Sequence, residues 1–340
     1  MRTMIKTLIE HPLCDRNSFH VEEQAARIIE FDRRDDLDTI FAEGNAPENW
    51  YVMGGGNNIL FTQHFDGTLI HPTGNKITLL EETTDTLRVE AEAGVDWDEF
   101  VQWTVEKGVW GAENLSLIPG TVGAAPVQNI GAYGSEAKDI ISVVHYYDVQ
   151  LREHRTLSNG ECRFGYRDSI FKGELRGRAI ITSVEFRLSK NAGPHLIYDN
   201  LRSQVEAYGE ATVGNIREVI CSIRRSKLPD PNELGNAGSF FKNPIVPCTV
   251  TEALKQKYEN MPVYPTADPA LNKLAAGWLI DKAGLKGYRT GNVGVHDKQA
   301  LVLVNHGGAT GGEVMALARY VQDEVAKCFG IEIEPEVNIM

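Results

Sequence analysis

The segment Leu117-Ile-Pro-Gly-Thr-Val-Gly-Ala-Ala-Pro-Val-Gln-Asn-Ile-Gly-Ala-Tyr-Gly134 constrains the fold more than any other stretch of the chain. It holds four glycines and two prolines in eighteen residues, and yet it is apolar. Surface loops are usually polar, with turn residues at their tips. An apolar, glycine-rich loop implies backbone packed closely against something large and flat. Glycine has no Cβ to hold a neighbour off, and the amides around it are left to face an anion. A bulky phosphorylated or aromatic cofactor suits that description; a buried crossover loop is the alternative.

A second glycine cluster lies upstream, in Tyr51-Val-Met-Gly-Gly-Gly-Asn-Asn-Ile-Leu-Phe61. It reads as strand, tight turn, strand. Its glycines and asparagines can form a nest of amides for a pyrophosphate, and a hairpin turn explains the same residues equally well. The dinucleotide fingerprint needs a glycine five residues after the first, where this chain has Ile59. No Gly-Lys-Ser/Thr follows, so the cluster is not a Walker loop either.

At 340 residues the chain has room for two or three domains. Its formal charge of −13 argues against general nucleic-acid binding and against attachment to an anionic membrane. A local basic pocket for a phosphorylated substrate stays open. Cys14, Cys162, Cys221, Cys248 and Cys328 are odd in number and form no Cys-x-x-Cys pair, which disfavours a zinc ribbon and a disulfide framework. Reduced thiols in a cytoplasmic protein are the expectation. Arg2, Lys6, Glu10 and His11 interrupt the N-terminal segment, so it lacks the apolar core of a signal peptide. No apolar run reaches the roughly 18 residues of a membrane span.

Period-two alternation over Leu87–Ala93 predicts a strand, and Ile140–Val149 and Ala179–Leu188 read as two more. Asp96 is placed to cap a helix reaching Lys107, with Phe100, Val101, Thr104 and Val105 on one face. Shorter elements are expected at Asp35–Glu43 (helix), Trp50–Met53 and Thr68–His71 (strands). Ile216, Val219, Ile220 and Ile223 have helical spacing, and Leu228-Pro-Asp-Pro231 then breaks the chain at a domain boundary. Beyond it, Asn236–Lys242, Ala300–Asn305 and Ile331–Met340 read as strands. Thr251–Tyr258, Lys273–Ala283 and Gly312–Cys328 read as helices.

Several side chains could carry chemistry. Gly165-Tyr-Arg-Asp-Ser-Ile-Phe-Lys172 sets Arg167 among aromatic and apolar neighbours, where its fork could hold a carboxylate; a structural ion pair is the alternative. Ser239 follows a small-residue turn and precedes two aromatics, outside any Gly-x-Ser-x-Gly elbow; it could donate a proton to a substrate carbon or be an ordinary strand serine. Glu334 and Glu336 flank Pro335 and, in an extended segment, would share a face, where like charges would push one pKa upward; a charged edge strand is the bland reading. Lys227 could meet a phosphate, or could simply end a helix in solvent. His296 and His306 lack partners at metal-ligand spacing, so no metal is assigned.

Six motifs in order resemble one family closely. They are Gly54-Gly-Gly-Asn-Asn, Ile118-Pro-Gly-Thr-Val-Gly, Gln128-Asn-Ile-Gly-Ala-Tyr-Gly, Gly165-Tyr-Arg-Asp-Ser-Ile-Phe, Asn236-Ala-Gly-Ser-Phe-Phe-Lys-Asn-Pro and Glu334-Pro-Glu-Val. The chain is similar to the UDP-N-acetylenolpyruvoylglucosamine reductases of bacterial peptidoglycan synthesis over nearly its whole length. The resemblance implies an α+β fold: a two-part FAD-binding module of the vanillyl-alcohol-oxidase type plus a C-terminal α/β substrate domain. It implies residues 1–75 as the first flavin part, 76–228 with 330–340 as the second, and 229–329 as the substrate domain. The second part would take back the C-terminal strand.

The implied reaction is reduction of the enolpyruvyl ether by NADPH through FAD, in a cytoplasmic monomer without nucleic-acid or membrane partners. Arg167, Ser239 and Glu336 match the catalytic residues: Arg167 and Glu336 at the substrate carboxylate, Ser239 as the proton donor to carbon. FAD would be held by Gly54, Gly55, Gly56, Asn57, Asn58, Ile118, Pro119, Gly120, Thr121, Gly123, Ala124, Gly131 and Tyr133, its pyrophosphate against Gly54–Asn58 and the amides near Gly120–Gly123. Tyr198, Lys227, Asn243 and Gln299 match residues that grip the UDP-sugar, and Tyr198 implies the subtype whose tyrosine-bearing loop closes over the diphosphate. Asn57 replaces the family's serine, and Asn338 stands where a basic residue is common. A flavin oxidase of the same fold and a non-catalytic nucleotide-sugar binder are the competing readings. No histidine lies in either glycine loop, which disfavours the covalent flavin of many such oxidases, and a mere binder has no need of Arg167, Ser239 and Glu336 together.

Overall fold

Alternation in sequence becomes alternation in burial. In the strand Thr86–Glu92, Leu87, Val89 and Ala91 are buried and Arg88 is exposed. The strand pairs antiparallel with Ile77–Glu82 on one side and Ala179–Ser189 on the other. Ile141–Asp148 and Glu153–Ser158 complete a five-stranded sheet. Asp96 caps the helix Trp97–Glu106, its Oδ1 accepting from the amides of Asp98 (2.8 Å) and Glu99 (3.0 Å). Such a cap contributes about 1 kcal/mol. Trp97, Phe100 and Phe186 then interlock, with the Phe100 and Phe186 ring centroids 4.3 Å apart.

A computed structural model describes residues 5–198 and 200–340. Arg2, read with the N-terminal segment, and Asp199, beside Tyr198, lie outside the described residues. The chain divides into two compact units. The first comprises residues 1–11, 25–55 and 66–226; the second comprises 12–24, 56–65 and 227–340.

Besides the five-stranded sheet, the first unit has a four-stranded sheet in the order Lys6–Pro12, Gln24–Phe31, Phe65–Pro72, Trp50–Val52. Phe31, Leu37, Phe41 and Ile70 form its core. The helix Val213–Lys227 closes a third cluster, in which Ile216, Val219, Ile220 and Ile223 pack on Leu196, Leu201 and Val205. This is the spacing the isoleucines announced.

In the second unit, Gly235–Ser239, Val302–Asn305, Val293–Val295 and Arg289–Thr290 form one sheet. Ile245–Pro247, Leu271–Leu274 and Val263–Pro265 form another. The helix Gly311–Phe329 begins with a Thr310/Glu313 capping box and ends on Gly330 at φ +66°.

Three expectations change. The segment Lys273–Ala283 is split: Lys273 and Leu274 pair with strand residues 245 and 263, and the helix starts only at Ala276. A short apolar window does not separate the two periods. Ile331–Met340 is not one strand; ladder pairing is confined to a Phe241–Pro335 bridge and to Asn338–Ile339, because proline lacks the N–H that a continuous ladder needs. The strands flanking Gly54–Asn58 do not form a hairpin. Trp50–Val52 runs parallel to Thr68–Ile70, whereas Ile59–Leu60 runs parallel to the terminal Asn338–Ile339. The terminal strand Asn338–Ile339 therefore pairs with residues 59–60.

Candidate active site

In the first unit, the glycine-rich segment is a ladder of turns along the end of the five-stranded sheet and the start of the Trp97–Glu106 helix. The Val122 amide donates to Val95 O (2.8 Å) and the Gly123 amide to Ala93 O (2.9 Å). A Cβ on Gly123 would lie 2.6 Å from that of Ala93, so only glycine fits there. The amides of Val122, Gly123 and Ala124 are thus committed to main-chain carbonyls, and an anion cannot count on them. What the segment offers instead is Thr121 Oγ1, which is buried without a hydrogen-bond partner among the described residues. A Cβ on Gly54 would come within 2.6 Å of that same oxygen. An orphaned hydroxyl and a cradle cleared by glycine fit a phosphate-bearing cofactor, and a buried polar group without a partner is otherwise costly.

The far end of the segment is built around Arg167. This residue has φ +52°, and its guanidinium donates to Gly131 O (2.7 Å) and Asn129 O (3.3 Å) while lying 5.4 Å from the Tyr166 ring centroid. A side chain on Gly131 would meet Arg167 Nη1 at 3.1 Å. Asn129, buried and at φ +45°, donates to Glu136 Oε2 and Gly165 O, each at 2.9 Å. The loop and the Arg167 turn therefore fix one another. Burial raises the Tyr133 hydroxyl pKa, and Arg224 acts against that shift. Tyr198 meets the Tyr133 ring edge-to-face at 5.6 Å and is 44% exposed. Asn114 ties its segment down by donating to both Tyr133 O (3.0 Å) and His195 O (2.8 Å).

In the second unit, Gly56 takes φ +68°, and a Cβ there would lie 2.0 Å from Arg16 O. Asn58 reaches forward, its Nδ2 donating to Glu336 O at 3.2 Å, and its own carbonyl receives Asn338 N at 3.0 Å. Glu336 N donates to Phe240 O at 2.8 Å, directly beyond Ser239. The structure thus gathers Asn58, Glu336 and the Ser239 strand end, which are remote in sequence. Ser239 is exposed and follows a bulge: Asn236 faces Val304 and Ser239 faces Val302, with Gly238 at φ +68° supplying the extra residue. Glu334 is 79% exposed and lies 3.9 Å from Lys242 Nζ. Asn243 Oδ1 caps the Ala276 amide at 2.9 Å, and a Cβ on Gly277, one residue on, would lie 3.1 Å from Gln299 Oε1. Asn243 and Gln299 therefore share one helix start. Lys227 is exposed at the end of its helix.

Residues 25–157 match a family model for an FAD-binding domain, and residues 230–340 match the C-terminal domain of UDP-N-acetylenolpyruvoylglucosamine reductase. The Chromobacterium violaceum protein of that name is 50% identical over 330 residues, covering 95% of this chain and 96% of its own. That from Pseudomonas aeruginosa is 49% identical over 328 residues, with the same coverage. The chain belongs to the UDP-N-acetylenolpyruvoylglucosamine reductase family. A crystal structure of the Thermus caldophilus reductase shares the fold, with a TM-score of 0.69 over 99% of both chains at 23% identity. The α+β architecture accordingly comprises an FAD-binding domain followed by a C-terminal domain of the reductase family.

Asp98, Arg217 and Arg224 lie outside every motif of the sequence. Arg217 sits on the apolar stripe of its helix and is 9% exposed. A charge on an inward face is the signal that marks it. Among the described residues, no cluster of three His, Cys, Asp or Glu is placed to hold a metal, and no helix is long and apolar enough to cross a membrane.

Proposed function

We propose that Arg167, Ser239 and Glu336 carry the substrate half of the reductase reaction, and that the two glycine loops hold the flavin. The protein is an FAD-dependent, NADPH-consuming oxidoreductase that reduces UDP-N-acetylglucosamine enolpyruvate to UDP-N-acetylmuramate. FAD held there would supply the hydride chemistry, from NADPH to the enolpyruvyl double bond. Addition at one carbon leaves an electron pair on the neighbour, delocalised into the carboxylate. Arg167 is held by two backbone carbonyls before any substrate arrives, so its charge meets the developing negative charge without reorganising. Glu336, in its protonated form, would donate a second hydrogen bond to that carboxylate. Ser239 gives its proton to the carbanionic carbon and regains one from solvent, completing the saturated lactyl ether.

The FAD contacts proposed are Gly54–Asn58, Ile118–Thr121, Gly123, Ala124, Gly131 and Tyr133; those of the UDP-sugar are Tyr198, Lys227, Asn243 and Gln299. Residues 1–75, and 76–228 with 330–340, are proposed as the two flavin-binding parts and 229–329 as the substrate domain. A monomer working in the cytoplasm is the proposed setting.

The single observation that carries the flavin site is the buried, unpartnered Thr121 hydroxyl beside Gly54. A visible spectrum of the purified protein, then anaerobic NADPH, then the enolpyruvyl substrate, tests the reading. The yellow colour is expected to bleach with NADPH and return with substrate. A flavin that bleaches and stays bleached would leave the substrate half of the proposal without support.

A further inference from the structure

We propose that Asp98 and Arg217 are positioning residues for the flavin: their ion pair locks Leu117 in a left-handed conformation and so sets the start of the Ile118–Thr121 turn. The inference rests on the assignment of that turn to FAD.

Leu117 has φ +58°. Leucine does not adopt this region unaided; only glycine, and to a lesser degree asparagine and aspartate, visit it readily. Something must hold it, and both of its backbone polar groups are taken by charged side chains. The Leu117 amide donates to Asp98 Oδ1 at 2.5 Å, and its carbonyl accepts from Arg224 Nε at 3.1 Å. Asp98 is in turn fixed from the other side by a two-pronged bond from Arg217, at 2.6 and 2.8 Å, while Arg217 Nε donates to Gln102 at 2.7 Å. Asp98 lies in the first turn of one helix and Arg217 within a second, so both ends of the clamp stand on rigid elements. Burial alone would raise the Asp98 pKa, but the Arg217 fork and the Leu117 amide together bring it below the ordinary aspartate range, so the clamp is ionised at neutral pH.

The geometry downstream shows what the clamp controls. Gly120 O accepts from Trp97 N at 3.0 Å, and Thr121 bridges Asp96, so the same helix start grips the turn at both ends. Between the two grips the backbone has little latitude, and Thr121 Oγ1 emerges buried and unpartnered. Stability by itself is a weak reason for such an ion pair, since a buried pair often does no better than an apolar one of similar volume. Strain persisting in a non-glycine residue beside a binding turn points instead to orientation.

The test is FAD affinity, read by flavin fluorescence on the flavin-stripped full chain, with thermal midpoints taken in parallel. Asp98→Asn and Arg217→Gln are expected to weaken FAD roughly tenfold, about 1.4 kcal/mol. Leu117→Gly accepts the left-handed conformation without help and is expected to bind FAD nearly as the parent does. Added to Asp98→Asn, it should restore most of the lost affinity. Equal weakness in Asp98→Asn with and without Leu117→Gly, at matched thermal midpoints, overturns the proposal. If Asp98→Asn does not fold, Arg217→Lys keeps the charge, loses the fork, and is put through the same comparison. Thr121→Val separates the inference from its basis. Unchanged FAD affinity there removes the turn from the flavin site, whereas weakened binding there without rescue by Leu117→Gly overturns the clamp alone.

Discussion

The turn that carries Arg167 and the strand end that carries Ser239 both break regular backbone at a residue of positive φ. In the first, the residue is Arg167 itself, at +52°. In the second, it is the neighbour Gly238, at +68°, where a Cβ would meet nothing within 4 Å. The arginine side chain is long, so even a well-placed Cα leaves its charge free to wander; the carbonyls of Asn129 and Gly131 remove that freedom. A serine has one torsion to its hydroxyl, so aiming the backbone aims the group. The bulge therefore suffices for Ser239, and the strain falls on glycine, which bears it at little cost. A mobile charge needs side-chain anchors; a short proton donor needs only a bend.

Ser239→Ala should separate the two most sharply. Loss of a positioned general acid typically costs about 10²- to 10⁴-fold, so reoxidation of the reduced enzyme by substrate should slow by that order, with FAD binding and NADPH oxidation kept. Rapid mixing in deuterated water checks it. A normal rate, with deuterium on the same carbon and face, would assign the proton to another group.

Arg167→Ala is expected to cost roughly 3 kcal/mol, about a hundredfold, in the substrate half-reaction and little in flavin reduction by NADPH. Stopped-flow measurement of each half-reaction decides. An equal fall in both would mean that the arginine holds the loop for the flavin, and would erase the contrast with Ser239.

Gly238→Ala probes the bulge alone. With open space around it, the change meets no clash, and forcing an alanine into the left-handed region should cost about 1–2 kcal/mol of stability. A modest drop in the thermal midpoint with a several-fold slower reoxidation is the expected pair of results. A full-rate enzyme would show that the serine does not depend on the bend.

Much of this was legible in the chain itself. Strands at residues 86–92, 141–148 and 179–189, the Asp96 cap and the isoleucine face of 213–227 are local patterns, written in spacing that needs no partner to be read. The reductase motifs were equally visible, because glycine at Gly56 and Gly123 answers steric demands that leave no other residue possible. The helix start at Ala276 was misplaced because a four-residue strand and the turn of a helix look alike over so short a window.

What the sequence alone could not decide was who meets whom. Asn58 takes Glu336 across 278 residues, and Arg217 takes Asp98 across 119. Neither residue carries a mark of its partner. The choice is made when the apolar faces collapse and each buried polar group must find a hydrogen bond within reach. The sequence determined which elements form and where glycine is obligatory, since both follow from neighbours along the chain. Tertiary structure decided that the last strand lies beside Ile59–Leu60, that a leucine is held left-handed, and that Thr121 keeps its hydroxyl unspent, since each depends on atoms brought together only by folding.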